Sequence, residues 1–138
     1  MIIEIPINPV TKKNHGQMIP VKSKVVNPKT GKLEEKIRNI MIPSKPYQEY
    51  EKNCKKYMPK LDKPIDYPVC LKCTYYMETR RKCDITNLLQ ATCDILVKYK
   101  VLEDDNYSIV ASFDGTRVYY DKENPRAIIE IIPLEKEQ

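Results

Sequence analysis

The sequence predicts an α+β fold, a single domain over residues 1–138 with a mixed β-sheet, two helices packed on one face and a projecting basic β-ribbon. Three observations lead there. Residues 69–78 alternate in side-chain character as a strand does, with Val69, Leu71, Cys73, Tyr75 and Met77 on one side. Two stretches carry apolar residues at helical spacing instead. Between the first strand and the first of those helices runs a long, thinly hydrophobic segment rich in lysine.

Taken in order, residues 2–7 (IIEIPI) are β-branched and form a short strand. Residues 17–42 read as a ribbon, QMIPVKSKVV out and LEEKIRNIMI back, around a turn at 27–31 (NPKTG). Its apolar content is too small to bury both faces, so it is expected to project as a mobile flap. Ser44 and Pro46 open a helix over 46–58, whose stripe of Tyr47, Tyr50, Cys54 and Tyr57 is core packing. A breaker-rich connection at 59–68 leads into the strand at 69–78. A second helix spans 85–99, followed by strands at 107–113, 117–120 and 126–132, with a turn at Asp114-Gly115.

Composition narrows the function classes. With 41% hydrophobic and 31% charged residues, the 138-residue chain suits a soluble domain, and no apolar run reaches the roughly 20 residues of a membrane span. The opening MIIEIPINPV carries Glu4 and no basic region, so no signal peptide is expected. Five cysteines, an odd number, fit reduced thiols in a cytoplasm. Cys70 and Cys73 have CxxC spacing, and a zinc site drawing in Cys83 and Cys93 is the metal alternative to plain packing. Three glycines exclude a glycine-rich phosphate loop. Residues 11–38 hold eight lysines and arginines against two glutamates, a net +6; in a chain of net +5 this leaves −1 for the remainder. Either a polyanion binds this segment or it is a solvated lysine-rich loop. His15 within it is a phosphate contact or a spectator, since no nucleophile stands at triad spacing.

The acids gather around the second helix. Asp84 stands at its entrance, Asp94 inside it, and Asp104-Asp105-Asn106 just past its exit, beside Arg80-Arg81-Lys82. Each has a plain explanation: Asp84 as N-cap, Asp94 paired with Lys98, the exit acids as a polar turn. The functional alternative brings Asp84 beside Asp104 and Asp105 to hold Mg²⁺ with water and phosphate. Asp94 lies about 15 Å along the axis from Asp84, too far for a shared ion, which leaves it to Lys98 or to an outer shell.

The stretch DITNLLQATCDILVKYKVLEDDNYSIV resembles the RusA-like Holliday junction resolvases, an endonuclease family of bacteria, their phages and prophages. Arg80, Arg81 and Lys82 match the family's basic lead, Asp84, Asn87 and Leu88 its D-x-D-N-L motif, Asp94 its internal acid and Asp104-Asp105 its acidic pair. The similarity extends more loosely to the loop Pro9–Asn14 and to the last strand. The resemblance implies a symmetric homodimer that uses Mg²⁺, with Mn²⁺ as substitute. It would cut four-way DNA junctions to leave 5′-phosphate and 3′-hydroxyl ends. Asp84 and Asp105 would be the metal ligands with Asp104 adjacent; Lys12, Lys13, Arg80, Arg81 and Lys82 would contact phosphates. Two departures stand out. Thr86 replaces the second motif acid, so affinity for a second ion should fall, and Gln90 replaces a common lysine. These motivate a competing account, a non-catalytic branched-DNA-binding module on the same fold. A third account gives the basic ribbon an RNA-directed or protein-interaction role.

Overall fold

The computed structural model describes residues 1–12 and 17–135. Seven strands and two helices follow one another as β1 (Ile2–Ile5), β2 (Gln17–Val26), β3 (Leu33–Ile42), α1 (Lys45–Cys54), β4 (Val69–Met77), α2 (Ile85–Lys98), β5 (Val110–Ser112), β6 (Arg117–Tyr120) and β7 (Arg126–Pro133), with a 3₁₀ turn at Lys55–Tyr57. The main sheet runs β1-β7-β4-β5, and β6 also pairs with β4. Its β1–β7 and β7–β4 pairs are antiparallel, and β4 pairs in parallel with β5 and β6, so the sheet is mixed as the sequence predicts.

One face of this sheet is the core. The register aligns Leu71, Cys73 and Tyr75 of β4 with Ile131, Ile129 and Ala127 of β7, and Ile3 and Ile5 of β1 extend the same row. All eight are buried, together with Tyr47, Tyr50 and Cys54 of α1 and Leu88, Ala91, Ile95 and Leu96 of α2. Burial of these apolar surfaces is the main force holding the helices on the sheet. Most alternate positions, among them Glu4, Lys72, Thr74 and Tyr76, are exposed or half-buried, which leaves the opposite face largely open; Cys70, under the turn at Asp114, is the buried exception.

Local chemistry sets the element ends. The Ser44 hydroxyl accepts a hydrogen bond from the Tyr47 amide at 3.4 Å, and Pro46 sits in the first turn of α1. The helix then tightens into the 3₁₀ turn instead of continuing to residue 58. Gly115 has φ +85°, a left-handed conformation at which a Cβ would also press on the Lys72 side chain. Beyond it, the Thr116 hydroxyl bridges the gap between β5 and β6, accepting from the Cys73 amide at 3.1 Å and donating to the Leu71 carbonyl at 3.3 Å.

The strand expected at 107–113 begins only at Val110. Asn106 is the cause: its carbonyl accepts from the Ile109 and Val110 amides and its side chain from the Ser108 amide, which winds 107–109 into a turn. The zinc alternative also fails. All five cysteines are free, and among the described residues no group of three or more His, Cys, Asp or Glu is placed to hold a metal ion. Burial pushes the thiols of Cys54 and Cys73 up to about 11 and that of Cys93 to about 12, as for side chains packed in the core. The ribbon is present, β2 pairing among the described residues only with β3, and one of its faces exposes Met18, Val26, Leu33, Ile37 and Met41.

The docking of α2 matters most for function, because α2 carries the acids. Tyr75 of β4 reaches into it, its hydroxyl 2.6 Å from the Thr92 hydroxyl and 3.2 Å from the Leu88 carbonyl. Tyr75→Phe should destabilise the fold by about 1 kcal/mol, the net worth of one such bond, because Thr92 keeps its own bond to Leu88. Thermal unfolding would show this as a fall of about 3–5 °C in Tm, and no shift would mean that apolar packing alone fixes α2.

Candidate active site

The basic lead follows β4 directly. Asn8, from the loop after β1, accepts a hydrogen bond from the Glu78 amide at 2.9 Å and so ties that loop to the strand end. Arg80 lies over the Tyr120 ring at 4.1 Å, a cation–π contact that orients its guanidinium, while Arg81 and Lys82 are exposed. Lys13 and His15 lie outside the described residues.

Asp84 occupies the N-cap position of α2, where its carbonyl accepts from the Asn87 and Leu88 amides. Its side chain makes no capping hydrogen bond, contrary to the plain expectation for an aspartate there. The carboxylate is exposed and not consumed by the helix it precedes. Asn87, by contrast, is buried on the inner side of α2.

The chain leaving α2 brings the other acids back along that helix. Val101 and Leu102 are fully buried, Leu102 bridging to Ile65, and the Glu103 amide donates to the Ile65 carbonyl at 3.0 Å. On the far side Ile109 and Val110 are buried again, with the Val69 amide donating to the Ile109 carbonyl at 2.7 Å. The exposed acidic loop is thus held between two buried anchors.

Its two aspartates have different surroundings. Asp104 accepts from the Asp105 amide at 2.8 Å and from the Asn106 side chain at 2.9 Å, so both of its oxygens serve the loop. Those bonds, the backbone one first, hold its carboxyl below the usual range. Asp105 is pushed the other way, by partial desolvation first, then by its neighbour Asp104 and by the negative charge of Asp94. The share of that rise that comes from Asp104 and Asp94 is the part a bound cation would relieve.

Asp105 separates two depressions. One, of about 310 Å³, is lined by Thr86, Leu89, Gln90, Cys93 and Phe113 as well as Asp105. The other, of about 320 Å³, adds Lys12, Glu51, Asp94 and Lys98 to it. Thr86 and Gln90, the two departures from the family pattern, therefore face the same space as Asp105. Asp84 lines neither depression.

Asp94 does not pair with Lys98. Its partner is Lys12 at 3.0 Å, and Lys98 instead pairs with Glu51 of α1. The favourable helical spacing gives way because α1 and the loop after β1 present opposite charges closer to each side chain. Lys12, expected to contact phosphate, also stands 5.3 Å over the Tyr47 ring. Among the described residues no group meets the Tyr47 hydroxyl beneath it in hydrogen-bond geometry, and burial, then the nearby Glu51 carboxylate, push its pKa up. Sequence reasoning missed Glu51 and Tyr47, whose helical stripe signals only packing.

Comparison with known proteins bears on this arrangement. No curated protein matches the chain. A family model described as Endodeoxyribonuclease RusA matches residues 6–132, nearly the whole chain and every acid and base named above except those of the two ends. The match spans the basic loop, the D-x-x-N-L opening of α2, its internal aspartate and the exit pair. No helix among the described residues is long and apolar enough to cross a membrane. The chain belongs to the RusA family of endodeoxyribonucleases.

Proposed function

We propose that the protein is a divalent-metal-dependent, structure-selective endonuclease that resolves four-way DNA junctions as a homodimer in the cytoplasm of a bacterium or a phage-infected host. The observation that carries this reading is Asp105, an open carboxylate crowded by other acids, in a family of endodeoxyribonucleases. Mg²⁺ needs only one or two protein carboxylates when phosphate and water complete its shell. Asp105 would supply one such carboxylate; the family pattern gives Asp84 as the second with Asp104 adjacent, and Mn²⁺ would serve in substitution, so a cage of three protein donors is not needed. When bound, the ion would supply positive charge to the scissile phosphate and lower the pKa of a bound water.

The chain's own residues do the rest. Arg80, Arg81 and Lys82 hold the phosphodiester backbone at the mouth of α2. Asp104 keeps the loop closed through its two hydrogen bonds and so orients the Asp105 carboxylate. Lys12 neutralises Asp94 beside it. Among the described residues the outer edge of β6 is unpaired, with Val118, Tyr119 and Tyr120 exposed, which supports a second copy as partner; light scattering should give twice 16.2 kDa.

The test is cleavage of a synthetic four-way junction with Mg²⁺ or Mn²⁺, the products read for 5′-phosphate ends. A purified protein that binds junctions and never cuts them defeats the enzyme reading. It would favour the competing one, a branched-DNA-binding module, to which Thr86 and Gln90 in the Asp105 depression lend weight.

Acid titration gives a second check. Asp105 must be ionised to hold a cation, and its pKa is raised, so single-turnover cleavage should fall away at a higher pH than an ordinary aspartate would dictate. The fall should move toward lower pH as the metal concentration increases, because the cation competes with the proton. A limb insensitive to metal would exclude Asp105 as its source.

A further inference from the structure

One residue further along both helices from the Glu51–Lys98 pair, a groove of about 660 Å³ opens between the end of α1, the 3₁₀ turn and the end of α2. Five lysines line it: Lys52, Lys55, Lys56, Lys60 and Lys100. No acid does, and among the described residues none of the five makes an ion pair. Met58, Leu61 and Tyr99 add apolar lining, and all five lysines are exposed. A cleft with charge of one sign and low-dielectric walls focuses its field outward.

Lys100 indicates that this charge serves something other than the fold. The end of α2 is a Schellman motif: the Lys100 amide donates to the Val97 carbonyl at 3.1 Å and the Val101 amide to the Leu96 carbonyl at 2.9 Å. Buried Leu96 and Val101 supply its apolar contact. The motif places Lys100 at φ 60°, the only non-glycine residue with positive φ among those described, where glycine is the favoured residue. Attraction to the carbonyl ends of α1 and α2 favours lysines at 52, 55 and 100. The same attraction covers Lys56 in the 3₁₀ turn, which also stands 5.1 Å over the Tyr57 ring, but it gives no reason for Lys60, which lies beyond that turn, nor for accepting strain at Lys100.

We propose that this groove is a second DNA contact, gripping the phosphate backbone of a junction arm at a distance from the cleaved strand. The partner is the branched DNA of the function proposed above, on which this inference rests. The groove lies beside the depression that holds Asp105, separated from it by the Glu51–Lys98 pair, so one arm leaving the acids meets the lysines next.

The experiment compares four-way junctions whose arms are about half a helical turn, ~5 bp, or about two turns, ~20 bp. The triple variant Lys55→Gln/Lys56→Gln/Lys60→Gln should lose about 10-fold in affinity for long arms. Its slope of log affinity against log salt should be shallower by about 3, since each phosphate contact releases counterions. Short-arm binding and single-turnover cleavage should stay unchanged. Lys100→Gly should raise Tm, by relieving the strain, and still weaken long-arm binding; a structural lysine would show the reverse. Unchanged long-arm affinity and salt slope in the triple variant overturn the proposal. So does unchanged DNA binding together with lost sedimentation on phosphatidylserine-containing vesicles, which would assign the groove to a lipid surface. If the wild-type protein cuts no junction while the triple variant still loses long-arm binding, the groove stands and the nuclease reading falls. If the wild type cuts and the variant binds as before, the groove alone falls.

Discussion

Asp105→Asn should reduce junction cleavage by about 10³-fold or more and leave junction binding intact or slightly tighter. The asparagine keeps the size of the side chain and its place in the loop. It removes the one negative charge that faces Thr86 and Gln90 on one side and Asp94 on the other. A thousandfold loss corresponds to about 4 kcal/mol of transition-state stabilisation, a reasonable share for a ligand to the ion that neutralises the scissile phosphate. Binding follows the opposite sign, because a carboxylate repels the DNA backbone whenever no cation screens it.

The same substitution has a signature in stability. Asp105 has a raised pKa in the folded protein, so the proton favours the fold: its contribution is present at low pH and lost as pH rises through the folded value. At neutral pH the ionised side chain is therefore a small liability, and Asp105→Asn should unfold no earlier than the wild type. Asp104 is the contrast. Its pKa is lowered by the loop's hydrogen bonds, so its contribution is present at neutral pH and lost as pH falls through the folded value. Asp104→Asn should loosen the loop and cost stability, together with some activity. If Asp105→Asn cut junctions at more than a few per cent of the wild-type rate, Asp105 would not be a metal ligand.

Much of this was legible in the sequence, and the limits of that legibility are physical. Alternation over 69–78 gave β4 because the side-chain period of a strand is imposed locally and one face must be buried. Ser44 with Pro46, and the stripes at helical spacing, located α1 and α2 for the same reason. Charges were harder. Asp94 and Lys98 have good spacing for an ion pair, but Lys12 and Glu51 arrive from segments distant in sequence and take one partner each. The estimate that Asp94 lies far from Asp84 along the helix stands. The functional alternative also required the chain leaving α2 to run back and bring the exit acids beside Asp84; the chain does double back, but Asp105 comes to lie alongside the helix between Thr86 and Asp94, and Asp84 lines neither depression. The lysines at 52–60 and 100 read as a breaker-rich connection and a helix end, and only the packing of α1 against α2 makes them one surface.

Thr86→Asp restores the carboxylate that the family pattern has at this position, and it should lower the Mg²⁺ concentration for half-maximal cleavage by about 10-fold to 100-fold. Thr86 lines the Asp105 depression, so an acid there adds a full charge to the same space, where the hydroxyl offers only a hydrogen bond to a bound water. Affinity of a hard cation rises with the number of charged oxygens around it, and at an effective dielectric near 20 one more carboxylate is worth about 1.4–2.8 kcal/mol after desolvation. Without metal the new charge works against the fold. The N-terminal end of α2 favours an acid at its second residue by about 0.5 kcal/mol, but repulsion from Asp105 opposes that and pushes the Asp105 pKa higher still. The variant should therefore melt near or below the wild type in EDTA and well above it in millimolar Mg²⁺, since an ion that binds only the folded state adds its binding energy to stability. Thermal melts and cleavage titrations read the two effects separately. An unchanged Mg²⁺ requirement together with a metal-independent Tm would mean that residues 86 and 105 do not face a common ion, and the site would have to be rebuilt around Asp84 and the basic lead alone.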